Sequence, residues 1–163
     1  MLGTIVVVLH VMSVFMLISG TTGRNLIWMH IRNSRDLGTV HKFLELAENF
    51  ETRLVRPGSG LILLTGLLAA WLRGWPILGF LQGAGSNWVL AALALYLTFI
   101  PLVTLLFIPK MKARQRALEG ALARGEITPE LTAAVNDRAL YLGRVYELAT
   151  VVVFTWLMIA KPF

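Results

Sequence analysis

The sequence predicts an all-α, polytopic membrane protein: a bundle of four transmembrane helices with cytoplasmic amphipathic helices and both termini outside. Of its 163 residues, 56% are hydrophobic and only 15% are charged, and the mean hydropathy is +0.70. A soluble domain is about 45–50% apolar and about 25% charged. The apolar residues form four long runs without the alternation of membrane β-strands. We therefore treat 1–163 as one membrane domain.

The four predicted spans are residues 2–23, 57–72, 87–108 and 143–160. A helix needs roughly 17–25 residues to cross a hydrocarbon core. The second span is short, so Leu54, Val55 and the interfacial Trp71 and Trp75 are expected to complete it. The first run has no basic segment before it and no small-residue cleavage site, which predicts a retained helix and not a signal peptide.

Basic residues predict the orientation of the helices. They concentrate in the connections 24–56 and 109–142, whereas the connection 74–86 carries no charge. By the positive-inside rule, both basic connections are cytoplasmic. The net charge of +6 thus reflects topology and contact with the lipid bilayer, and we expect no nucleic-acid partner. Because the chain has no cysteine, disulfides, thiolate metal sites and thiol nucleophiles are excluded.

Both cytoplasmic connections show helical patterns. Apolar residues recur at helical spacing over 40–54, which predicts an amphipathic helix that lies on the inner surface or extends the second span inward. After Pro109, a basic helix is predicted to end near Arg124 and Gly125. Thr128 is then expected to cap a second helix that has Pro129 at its first position.

The first span carries one ionisable residue, His10. It shares a helix face with Ser13, Gly20 and Arg24, and small and polar residues favour contact with other helices. One interpretation is a neutral imidazole hydrogen-bonded to a neighbouring helix. The other is an axial ligand of haem iron. His30 lies about 30 Å further along a continuous helix, so it cannot share a metal ion with His10.

A six-coordinate haem at His10 would need a second axial ligand. The candidates are a methionine (Met12, Met16 or Met158) and His10 of a second copy of the chain. Without either, the iron would be five-coordinate.

A second group of polar residues is predicted at the inner ends of the helices: Arg24, Glu51, Arg53, Arg56, Arg144 and Glu147. Glu147 lies one turn inside the fourth span, where an unpaired carboxylate is costly, and Arg144 on the same face is expected to compensate it. The group is interpreted as a structural ring of ion pairs, or as a cationic pocket for porphyrin carboxylates or lipid phosphates.

Small residues predict where the helices approach each other. The residues are Ser59, Gly66 and Ala70 on the second span and Ala91, Ala94 and Thr98 on the third. Residues of this size allow close backbone approach in membranes. A leucine in place of Gly66 should therefore disturb packing.

The motifs of the first span resemble those of known families. Over essentially the whole chain, the arrangement looks like a bacterial family described as predicted integral membrane proteins with four helices. It more distantly resembles the HemJ-type membrane protoporphyrinogen oxidases and the CopD-like membrane proteins. "LHVMSVFMLISG" is similar to the first-helix motif of the oxidase, in which a histidine is followed by a glycine and an arginine. Here these are His10, Gly20 and Arg24.

Further motifs follow in the order of the oxidase family. "FETRLVRPG" resembles its glutamate, basic residue and leucine before a proline that opens the second helix, here Glu51, Arg53, Leu54 and Pro57. Trp88 in "NWVL" resembles the entry to its third helix, and the closing "IAKPF" is similar to the ending of some members.

The resemblance implies haem b binding through the first-helix histidine, which is His10. The family also carries a basic residue just inside its third helix, where this chain reads Val89-Leu90-Ala91-Ala92. We therefore carry over haem binding from the resemblance and not the oxidation reaction.

The function predicted is that of a multi-pass protein of the bacterial inner (plasma) membrane that binds b-type haem or a porphyrin. His10 is the predicted metal ligand, with Arg24, Arg53 and Arg56 near the propionates; no catalytic residue is assigned. We expect the protein to assemble with itself or with a larger membrane complex. The first alternative is a non-catalytic accessory subunit of such a complex, and the second is metal transport of the CopD type.

Overall fold

The computed structural model describes residues 1–163 and is entirely helical. The helices are α1 (Leu2–Asn33), α2 (Leu37–Phe50), α3 (Arg56–Leu72), α4 (Trp88–Leu97), α5 (Phe99–Pro101), α6 (Ile108–Arg124), α7 (Pro129–Val135) and α8 (Arg138–Ala160). π-helical stretches at Glu51–Val55 and Leu102–Phe107 join α2 to α3 and α5 to α6, and a 3₁₀ turn covers Gly79–Gln82.

Four long helical units result, and each is long and apolar enough to cross a membrane. The all-α prediction with four spans is thereby confirmed. The second unit runs without a break from Leu37 to Leu72. The amphipathic segment therefore extends the second membrane helix and does not lie flat on the surface.

The third unit is interrupted near its middle, at Thr98 and Pro101. Proline has no N–H group, so the carbonyl of Leu97 loses its helical donor. The chain forms a turn at Thr98 and then a π-helical stretch from Leu102 to Phe107. A local change of helical register next to a proline is a common origin of such a break.

Helix α1 packs against α3 and the π-helical stretch before it along a seam of three glycines, Gly20, Gly58 and Gly66. A Cβ atom on Gly20 would lie 2.8 Å from Cβ of Leu54, and one on Gly58 would lie 3.0 Å from the backbone nitrogen of Leu17. A Cβ on Gly66 would lie 3.0 Å from the ring of His10. Only glycine permits this approach without displacement, so the predicted role of Gly66 in close packing is confirmed. We call this contact the α1–α3 seam.

The best-buried apolar cluster lies at one end of the bundle, beyond the predicted spans. It consists of nine residues: Ile27, Trp28, Ile31, Val40, Leu44, Ala47, Leu118, Ala121 and Leu131. These come from the last turns of α1 and from α2, α6 and α7. Because four helices meet there, this end core holds the charged residues beside it in defined positions.

The polar connections at this end are closed by capping residues. Gly125 ends α6 with a positive φ of 72°. The Thr128 side chain accepts a hydrogen bond from the backbone N–H of Leu131 at 3.2 Å, with Pro129 in the first turn of α7. The predicted turn and cap are thus confirmed.

Asp137 caps the following helix and also pairs with a lysine. Its carboxylate accepts from the N–H groups of Ala139 and Leu140 at 2.9 and 3.1 Å, and from Nζ of Lys110 at 2.6 Å. These donors, the lysine first, lower the pKa of Asp137 from its usual range. The contact ties α6 to the start of α8.

Candidate functional site

The His10 imidazole is half-buried on the α1–α3 seam and has one side-chain partner. Its Nδ1 lies 3.0 Å from Oγ1 of Thr65 on α3. The single hydroxyl proton of Thr65 is donated to the carbonyl of Leu61, one turn earlier on the same helix. Thr65 Oγ1 therefore accepts from His10, which assigns the proton of the neutral ring to Nδ1.

This hydrogen bond leaves the Nε2 lone pair of His10 without a side-chain partner. A histidine that binds a metal almost always donates from its other ring nitrogen, because the bond sets the tautomer and orients the ring. Gly66 lies against the Cε1 and Nδ1 side of the ring, where a Cβ atom would come within 3.0 Å of Cε1, and so it limits the movement of the ring. The ring also hydrogen-bonds the backbone of Ile62 on α3. With Nδ1 as the donor to Thr65, Nε2 is the basic nitrogen, as an Nε2 ligand requires.

No group of three or more His, Cys, Asp or Glu side chains in the chain is placed to hold a metal ion. His10 is a single imidazole on an apolar helix. Such a residue suits a metal that arrives with most of its ligands already supplied, as the iron of a porphyrin does.

A charged cluster lies further along α1, where Arg24 binds two carboxylates from other elements. Its Nη1 donates to Glu51 in the first π-helical stretch, and its Nη2 donates to Glu147 on α8. Glu51 also accepts from Nε of Arg56 at 3.3 Å. We call Arg24, Glu51, Arg56 and Glu147 the charged cluster.

The charged cluster is deeply placed: Arg24 is 8% exposed and Glu147 is 6% exposed. Buried charges are tolerated when they are paired and hydrogen-bonded, as both carboxylates are here. The cluster joins α1 to α8, two helices that otherwise meet little. It therefore fixes how the two halves of the bundle come together at this end.

Arg144 forms no ion pair with Glu147, so the predicted compensation is limited to attraction over a longer distance, and Arg24 is the direct partner. Arg144 instead stacks over the ring of Trp28, with its Cζ 3.7 Å from the ring centroid. Arg114 contacts the same ring at 4.7 Å. Burial is the largest influence on Arg114 and lowers the pKa of its guanidinium.

Sequence reasoning did not single out Trp28 or Arg114 as members of this group. They come from α1 and α6, far apart in the chain, so no local spacing links them. Trp28 follows Arg24 by one turn on the same helix face, and this spacing could have placed Trp28 in the group.

The structure does not bring the four predicted site residues together. Arg24 lies fourteen positions after His10 on the same helix, which is about 21 Å. Arg24 is bound by two carboxylates and Arg56 by one, while Arg53 is exposed and makes no ion pair. His10 and the charged cluster are thus two separate places on α1.

Comparison with known proteins identifies the family of the chain. The family model described as "Predicted integral membrane protein (DUF2269)" matches residues 4–162. No curated protein and no solved structure matches. The resemblance to HemJ-type and CopD-like proteins stays a prediction. Since the match spans nearly the whole chain, the protein belongs to the DUF2269 family of predicted integral membrane proteins.

Proposed function

We propose that this membrane protein binds b-type haem or a related porphyrin at the α1–α3 seam, with Nε2 of His10 as an axial ligand. The observation that carries the proposal is the hydrogen bond from His10 Nδ1 to Thr65. It leaves Nε2 as the basic nitrogen and orients the ring, as the outer partners of metal-bound histidines do. Bound haem would supply one-electron chemistry.

A porphyrin held by His10 would lie beside the seam and not inside the bundle. The ring is half-buried, and its neighbours Leu9, Val11 and Met12 are exposed along the apolar part of α1. A second copy of the chain could cover the other face of the porphyrin and supply its own His10. Met12 of the same chain is less suitable because it is two positions from His10 and points to a different side of the helix.

His10 is well placed to bind the iron, whereas the three arginines are less well placed to bind the propionates. Arg24 would have to leave two carboxylates and reach across about 21 Å of helix. Arg53 carries no ion pair and Arg56 is exposed, so these two are the better candidates of the three. Arg53 and Arg56 would hold the propionates if the porphyrin lay along α3 and extended toward the first turn of that helix.

Haem titration of the purified apoprotein tests this proposal. Wild-type protein in detergent should bind added haem in a saturable manner and develop a sharp Soret band. His10→Ala should abolish that band, whereas His30→Ala should retain it. His30 is a suitable control because it is exposed and its Nδ1 bonds only the carbonyl of Leu26 in its own helix.

An equal response of the wild type and His10→Ala would overturn haem ligation. The accessory-subunit function would then be favoured by the same hydrogen bond, because the contact with Thr65 alone can account for a half-buried neutral imidazole. In that case His10→Ala should lower stability while leaving spectra unchanged.

A further inference from the structure

Two arginine side chains and two buried donors without a hydrogen-bond partner lie at or near Trp28. The guanidinium groups of Arg114 and Arg144 both contact its ring, and neither lies within 4.0 Å of a carboxylate. Two further donors on the same stretch of α1, Nε of Arg24 and Nδ2 of Asn25, are buried without a hydrogen-bond partner. Buried donors are nearly always satisfied in native proteins, so this concentration indicates a missing acceptor.

Charge at this end of the bundle is also unbalanced. The charged cluster contains two guanidinium groups and two carboxylates, and so it is neutral. Arg114 and Arg144 stand next to it and add two positive charges. The nearby Glu48 and Arg32 carry opposite charges that offset each other, so the excess of two positive charges remains.

Trp28 is a fixed platform for the two arginines. It is 4% exposed and belongs to the end core. Stacking on an aromatic ring orients the plane of a guanidinium. The N–H groups, which point outward in that plane, stay free to bind an oxyanion. Burial lowers the pKa of the Arg114 guanidinium, and the attraction of Glu48 and Glu51 offsets this effect only in part.

The position along the helices indicates where such an anion would come from. Arg144 is the second residue of the fourth predicted span, and Arg114 follows the third span by six positions. Both therefore lie at the depth where a helix leaves the hydrocarbon and meets lipid headgroups. Guanidinium groups bind phosphate through paired N–H donors, and basic residues at this depth attract anionic lipids.

We propose that Arg114 and Arg144, held on Trp28, bind a phosphate group at the inner surface of the membrane. The phosphate belongs to an anionic phospholipid headgroup or to a soluble phosphate compound. The ligand satisfies donors that the protein leaves unpaired and neutralises the two excess charges. This site is independent of His10 and of haem.

The test compares binding by the full-length protein, freed of lipid in detergent, in two arms. One arm adds phosphatidylglycerol against phosphatidylcholine, and the other adds sodium phosphate against sodium chloride at equal ionic strength. Thermal unfolding reports stabilisation, and native mass spectrometry counts retained lipid. The variants are Arg114→Gln, Arg144→Gln and Arg144→Lys, with Arg116→Gln as the control. Arg116 is exposed on α6 and makes no ion pair, so it removes an equal charge elsewhere.

The wild type should be stabilised in at least one arm. Each glutamine variant should bind about tenfold more weakly, since a charge-assisted contact is lost. The affinity of Arg144→Lys should lie between those of the wild type and Arg144→Gln, because lysine keeps the charge but lacks the paired donors. If only phosphatidylglycerol stabilises the protein, the site binds a lipid headgroup. If sodium phosphate stabilises it too, the site also binds a soluble phosphate. A wild type that responds in neither arm overturns the proposal, as does an Arg116→Gln loss equal to that of Arg114→Gln.

Discussion

Replacing Glu147 with glutamine removes one of the two carboxylates that bind the Arg24 guanidinium. Loss of one partner from a buried ion pair costs about 3–5 kcal/mol, because the remaining charge is left uncompensated. Glu51 still binds Arg24 here, so the lower end, about 3 kcal/mol, is expected for Glu147→Gln. Arg24→Gln leaves two carboxylates facing each other, and its cost should be about 5 kcal/mol.

The double variant distinguishes a true pair from two unrelated effects. Once Arg24 is neutral, the second substitution removes a carboxylate that no longer has a partner. The combined cost should therefore fall below the sum of the single costs by about 2 kcal/mol. Unfolding by added denaturing detergent, followed by circular dichroism, measures these free energies. Arg53→Gln is the control, since this exposed residue makes no ion pair and should change stability by less than about 0.5 kcal/mol. A coupling energy below about 0.5 kcal/mol would show that Arg24 and Glu147 do not stabilise the protein as a pair.

Three further predictions follow from individual contacts. Thr65→Val removes the acceptor for His10 Nδ1 and should weaken haem binding about 10–100-fold in a titration, whereas equal affinity would show that this hydrogen bond does not orient the ligand. Gly66→Leu places side-chain atoms where the His10 ring lies and should destabilise the protein by about 1–3 kcal/mol; an unchanged unfolding midpoint would count against the seam. The pKa of Asp137 is lowered on folding, so its stabilising contribution is present above its unfolded value of 3.8 and is lost as the pH falls through the folded value. Asp137→Ala should thus cost about 1 kcal/mol at neutral pH and little in strong acid, and a pH-independent cost would contradict the role of its charge.

Helices and caps could be predicted from the sequence because their causes are local. Long apolar runs indicated four spans, and the pattern of Thr128 and Pro129 indicated where α7 begins. The polar stripe of α1 was also predicted, and Ser13, Gly20 and Arg24 are indeed buried along it. Periodicity and capping depend on neighbours within a few residues, which a single sequence displays.

The partners within the charged cluster could not be predicted in the same way. Arg144 is three residues from Glu147, so local spacing favoured that pair, but Glu147 binds Arg24 from a helix 123 residues earlier. Arg144 instead stacks on Trp28, and the position of Trp28 depends on the end core formed by four helices. Contacts between distant elements follow from the packing of whole helices, and single-sequence periodicity carries no information on that choice.

We propose that His10 lies in the membrane to bind iron through Nε2. The most direct measurement is the absorption spectrum of the protein purified from cells supplied with haem precursor, air-oxidised and then reduced with dithionite. Wild-type protein should show a Soret band and, on reduction, resolved α and β bands, and His10→Ala should show none of these bands. A colourless wild type that remains colourless after haem is added would contradict this proposal, and His10 would then be a packing residue bonded to Thr65.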